Sequence, residues 1–215
     1  MKEKVAVATV QGKAYFLLVN TLKEQSISFT SLIPGEPIPV EVKVVLTTPQ
    51  EQTKVAFNKI LVLYSEEDVD SLIIEVKKIL LGKEVCDRII VGIDPGENIG
   101  LAAIADGKTI EEATCRSSRE VINTILKVLK TVDFSTTKVT IKVGNGVPIY
   151  RELTRELDDA MPPEVNLEVV GEAGTNRPQK VHSRKVRHIS SATRIAGRTG
   201  QKVKREGKKC NIQYR

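Results

Sequence analysis

Four polar residues of the 215-residue chain stand where a sheet would deliver them to a common edge. Asp94 closes the β-branched run Ile89-Ile90-Val91-Gly92-Ile93 and precedes Pro95-Gly96, so it reads as a carboxylate at the end of a buried strand, beside a tight turn. An acid held there can present a metal ligand in a cleft, and it can equally do no more than cap the turn. Asn145 lies between Gly144 and Gly146 after the strand-like stretch 138–143, and Glu172 follows the run 166–171. His188 opens a helical stretch in which Ile189, Ala192, Ile195 and Ala196 share a face. Ligands of open α/β sheets gather beyond the carboxyl ends of strands. Asp94, Asn145 and Glu172 all fall at such ends, and the last helix can bring His188 towards them. Plainer roles remain open: Asn145 as a turn residue accepting positive φ, Glu172 as a salt-bridge partner of Arg177, and His188 as a helix-start residue or phosphate contact.

The elements that must position these groups follow in order. After the strand-forming run 89–93, Leu101 to Ala105 returns as a small-residue strand, and Asp106-Gly107 signals a hairpin turn. The stretch 109–116 reads as a third antiparallel strand. Ser117 followed by Glu120 marks a helix start, with Val121, Ile122, Ile125, Leu126, Val128 and Leu129 as its buried face. A fourth strand at 138–143, a helix from Pro148 to about Ala160 stopped by Pro162-Pro163, a fifth strand at 166–171 and a last helix at 188–198 complete the run.

This order, with the core Ile93-Asp94-Pro95-Gly96, resembles the ribonuclease H-like superfamily, and most of all RuvC-type Holliday-junction resolvases and their YqgF-type relatives. The resemblance covers about residues 88–200 and implies three antiparallel strands followed by two α/β crossovers in a mixed five-stranded sheet. It also implies a divalent-metal-dependent nuclease using Mg²⁺ or Mn²⁺ on acidic ligands. Asp94 matches the first acid of the family pattern, and Glu172 the glutamate that YqgF-like members carry after the fifth strand. Both would be catalytic metal ligands, with His188 as a third catalytic group, a ligand or a proton carrier. Two positions depart from the pattern: resolvases carry an acid where this chain has Asn145, and a second acid in the last helix where it has Ser191. A non-catalytic nucleic-acid-binding protein with a degenerate site is therefore the alternative. An actin-like nucleotide-binding protein is a weaker rival, because Glu97 would repel phosphate and one copy of about 125 residues is too short for two lobes.

Residues 1–82 read as a separate small α/β domain: a strand at 4–9, a helix at 13–23, strands at 26–32, 40–48 and 58–64, and a helix from Ser65 stopped by Gly82. This segment lacks His, Cys and a phosphate-binding glycine loop, so docking, dimerisation or regulation is its expected role. Residues 83–87 form a linker, and 201–215 a basic C-terminal tail.

Charge locates the partner. Residues 177–215 hold 13 Lys and Arg against a single acid, Glu206, whereas the preceding 176 residues hold 20 basic and 26 acidic side chains. Such a block attracts a polyanion, above all nucleic acid. Arg177, Lys180, Arg184, Lys185, Arg187, Arg194 and Arg198 are the expected nucleic-acid-binding residues. Tyr214 is the one aromatic of the block, so phosphate contacts rather than base stacking should carry the binding of DNA or RNA, branched or structured forms included. No apolar run is long enough to span a bilayer, and the N-terminus lacks a signal-peptide pattern. Three cysteines without metal-type spacing suit a reducing compartment, so a cytoplasmic protein is expected, with no membrane partner. Homodimerisation is compatible with this reading.

Overall fold

The computed structural model describes residues 3–171 and 184–204, with the backbone alone for 184–187. It divides into two units, Met1–Glu84 and Val85–Arg215, each of α/β type around its own sheet. Among the described residues no helix is long and apolar enough to cross a membrane.

In the first unit the strands β1 (Val5–Ala8), β2 (Phe29–Leu32), β3 (Val44–Thr47) and β4 (Ile60–Val62) are all parallel, in the order β2-β1-β3-β4. The inner strands β1 and β3 are buried along their whole length, which is why they read as unbroken apolar runs. Helices α1 (Gly12–Glu24) and α2 (Val69–Leu80) bring Leu18, Leu22, Leu72, Ile73 and Val76 onto one core with Val5, Val7, Val44 and Leu46. A second core gathers Ala6, Ala8 and Val45 with Val42, Val55 and Phe57, residues of the connections around β3. The strand β3 starts later than its apolar run because the Val42 N–H is spent in a turn on the Pro39 carbonyl. The start of α2 also differs from expectation. The Ser65 hydroxyl donates to the Asp68 carboxylate instead of capping the helix, and a 3₁₀ turn at Glu66–Asp68 intervenes. Gly82, at φ +66, ends α2 as expected: its N–H reaches the Ile79 carbonyl and that of Lys83 the Lys78 carbonyl, a Schellman closure.

The second unit is a mixed sheet in the order β10-β9-β8-β5-β6-β7. It is built from β5 (Arg88–Asp94), β6 (Ile99–Ala105), β7 (Lys108–Cys115), β8 (Lys138–Gly144), β9 (Asn166–Val170) and β10 (Gln201–Lys202). The β5/β6, β6/β7 and β9/β10 pairs are antiparallel, and β5/β8 and β8/β9 are parallel. Asp106 and Gly107, at φ 42 and 84, make the two-residue hairpin turn between β6 and β7. Helix α3 (Ser118–Leu129) starts as its sequence suggests: Ser117 accepts the Glu120 N–H, while the Glu120 carboxylate reaches back to the Arg116 N–H. Val121, Ile125 and Val128 are fully buried beneath it. Helix α4 (Tyr150–Ala160) buries Leu153 and Leu157. Helix α5 (Arg184–Ala196) begins and ends earlier than the apolar pattern suggests, because the pattern follows what is buried and not where the helix starts. Among the described residues the sheet holds six strands, not five; β10 extends it by two residues beside β9.

Candidate functional site

Alternation along β5 turns Ile89, Val91 and Ile93, all fully buried, to one side, and Ile90, Gly92 and Asp94 to the other. Helix α5 lies on the Gly92 side, closer than side chains would allow. A Cβ on Gly92 would stand 2.0 Å from the Ala192 carbonyl oxygen, and one on Gly100 of β6 would stand 2.3 Å from that of His188. His188, Ala192 and Ala196, four residues apart in turn, form the stripe that rests on these glycines. Register sets Gly100 opposite Asp94, so seating α5 on Gly100 delivers His188 to the end of β5. The His188 Nδ1 lies 4.0 Å from an Asp94 carboxylate oxygen, and both side chains are partly buried. That separation is longer than a hydrogen bond.

The other expected residues fall differently. Asn145 continues the ladder past β8, its backbone N–H donating to the Val170 carbonyl at 3.0 Å. Glu172, Arg177 and Lys180 lie outside the described residues, as do the side chains of Arg184, Lys185 and Arg187, which belong to the first turn of α5. Arg194 is exposed on α5. The Arg198 guanidinium donates to the Gly171 carbonyl at 3.1 Å, one residue before Glu172. A hard divalent cation requires several oxygen ligands. His188 approaches the Asp94 carboxylate, and no group of three or more His, Cys, Asp or Glu able to hold a metal exists among the described residues. These residues alone do not make an Mg²⁺ or Mn²⁺ site. Nor do they supply a thiol nucleophile: burial pushes the Cys115 thiol above its usual range, so it stays protonated at neutral pH.

Two polar groups escaped the sequence reading. Lys142 continues the polar face of β8 after Lys138 and Thr140, yet it is not solvated there: its ammonium donates to the Arg198 carbonyl just past α5. In the first unit, Glu51 is buried at the carboxyl ends of β1 and β3, the point where the strand order reverses. Its carboxylate accepts from the Thr9 hydroxyl, from the Val10 N–H at 2.9 Å and from the Thr48 hydroxyl at 2.8 Å. Burial raises its pKa, but these three donors and the nearby Lys54 outweigh burial and hold it below the ordinary carboxylate value. The spacing Thr48-x-x-Glu51 was the available signal. A cavity of about 230 Å³ opens beside this network, lined in part by Gln11, Lys13, Thr48, Gln50 and Tyr64.

Residues 4–76 match the model of a response regulator receiver-like domain. No curated protein matches the chain. Among solved structures, the chain is similar to Argonaute of Marinitoga piezophila in complex with a 5′ OH guide RNA, at 9% identity and a TM-score of 0.30, covering 80% of this chain and 39% of that one. The complex of the same protein with guide RNA and target DNA gives 9% identity, a TM-score of 0.31 and the same coverage. The chain thus spans well under half the length of these relatives.

Proposed function

We propose that the second unit is a ribonuclease H-like module that binds nucleic acid through its phosphates. One observation carries the reading: five strands of the sheet run β7-β6-β5-β8-β9, antiparallel across the first three and parallel from β5 to β9, with Asp94 at the end of β5 and α5 laid across it. That is the order implied by the resemblance to RuvC-type and YqgF-type proteins. Charge supports the same partner. The first turn of α5 contains Arg184, Lys185 and Arg187 and no acid, at the end of the helix where the macrodipole is already positive. A phosphate there relieves both costs at once. Binding of this kind is steeply salt-dependent and reads little sequence.

Hydrolysis of phosphodiesters is the second reading, favoured by the approach of His188 to Asp94. In it Asp94 and Glu172 would hold Mg²⁺ or Mn²⁺, which would supply Lewis-acid stabilisation. His188, oriented by Asp94, would hold or pass a proton. The test is incubation of labelled four-way junction, duplex and single strands with Mn²⁺ or Mg²⁺, wild type beside Asp94→Asn, with a gel shift in EDTA. Binding in EDTA retained by Asp94→Asn is the expected result. Metal-dependent cleavage lost in that variant establishes the nuclease, and binding without cleavage leaves a non-catalytic module. Absence of binding by the wild type overturns the proposal.

A further inference from the structure

A lysine in a central strand needs a reason. Lys142 sits on β8, flanked by β5 and β9, with its side chain only 12% exposed, and an ammonium so placed is costly unless it is paired. Its partners are specific. It donates to the carbonyl of Arg198, two residues beyond the last residue of α5, and lies 3.9 Å from the Glu168 carboxylate of β9. A helix carries a partial negative charge at its carboxyl end, so a cation held just beyond α5 favours that end. Arg198 extends the linkage by donating its guanidinium to the Gly171 carbonyl, at the exit of β9. Beyond it Gly200 packs against Glu168 and Val169, where a Cβ would come within 2.8 Å of the Glu168 Cβ, and Gln201 and Lys202 pair with β9.

We infer that Lys142 and Arg198 are positioning residues of the Asp94–His188 edge, clamping the carboxyl end of α5 to β8 and β9. The helix is one rigid rod. Held beyond its carboxyl end by Lys142, over Gly92 at Ala192 and Ala196, and over Gly100 at His188, it has little freedom to slide or rotate where His188 meets Asp94. The same clamp holds Gly171, the residue before Glu172. Arg198, expected as a phosphate contact, is thereby committed within the fold. The inference rests on the proposed site at Asp94, and its test is read without activity.

The chain has two histidines, His182 and His188, so the ring resonances of the full-length protein are assigned by comparison with His188→Gln. In Lys142→Met and in Arg198→Ala the His188 ring resonances should leave their wild-type position, and Lys142→Arg, which keeps a donor for the Arg198 carbonyl, should restore it. Should Lys142→Met fail to fold, Arg198→Ala and Lys142→Arg carry the test. In parallel, the slope of log K against log salt for duplex DNA should stay at its wild-type value in Arg198→Ala. An unmoved His188 ring in these variants overturns the inference. A slope reduced by about 0.9 with an unmoved ring returns Arg198 to phosphate binding. If the protein binds no nucleic acid the slope is lost as a readout, but the ring shift still decides the positioning role.

Discussion

Both units bring a carboxylate to the carboxyl edge of a sheet, and the two are used in opposite ways. Glu51 is buried at the reversal point of an all-parallel sheet, and two threonine hydroxyls and a backbone N–H from its own unit converge on it. Asp94 ends the strand β5 of a mixed sheet and faces an imidazole delivered by a helix some ninety residues later in the chain. A carboxylate saturated by three donors is a structural anion, because anything replacing those donors must match three hydrogen bonds. A carboxylate set against a titratable group of a distant element is coupled instead to how that element docks. The receiver-like match falls on the unit with the saturated carboxylate. The basic block falls on the other.

The comparison breaks most directly at the glycines. Gly92→Ala places a methyl group inside the Ala192 carbonyl, so α5 must lift. The expected loss is about 3 kcal/mol, confined to the second unit. Hydrogen exchange followed by mass spectrometry, resolved by peptide, should show α5 deprotected and β1 and β3 unchanged. Protection retained in α5 would mean that the helix is not seated on Gly92.

Glu51→Gln probes the opposite unit, with an expected loss of about 2 kcal/mol at neutral pH, since charged hydrogen bonds are the stronger ones. The sign of its pH dependence follows from the depressed pKa. The carboxylate contributes stability above the ordinary unfolded value, about 4.3, and that contribution is lost as pH falls through its lower folded value. Protection at β1 and β3 in the wild type, corrected for the intrinsic exchange rate at each pH, should therefore fall on acidification, and the Gln variant should lose part of that slope. Equal slopes would remove Glu51 from the account.

The smallest contrast compares two serines. Ser117 accepts a backbone N–H at the start of α3, whereas Ser65 only donates to the Asp68 side chain. Ser117→Ala should cost about 1 kcal/mol and Ser65→Ala a few tenths, by urea unfolding of each variant. Equal costs would show that the α3 cap carries no weight.

Much of the second unit is legible in the sequence because its signals are local. Asp106-Gly107 makes its turn, Ser117 with Glu120 starts its helix, and the apolar run at 89–93 and the alternating run at 138–143 become the strands β5 and β8. What stays hidden depends on partners distant in sequence. Gln201-Lys202 has no alternation to announce a strand and is defined by its pairing with β9. The burial of Glu51 depends on Thr9, some forty residues away, and the role of Lys142 on a carbonyl fifty-six residues later. Ser65 shows the reverse case: it does mark the approach to a helix, but a neighbouring acid competes for the hydroxyl that would cap it.

The central claim, phosphate-directed binding by the second unit, is tested most directly by the salt dependence of duplex DNA affinity in EDTA. The comparison sets the wild type beside the triple variant Arg184→Gln, Lys185→Gln, Arg187→Gln. The account predicts a steep negative slope of log K on log salt for the wild type, made shallower in the variant by about 0.9 for each phosphate that is no longer neutralised. A wild-type affinity that is absent, or indifferent to salt, would contradict it.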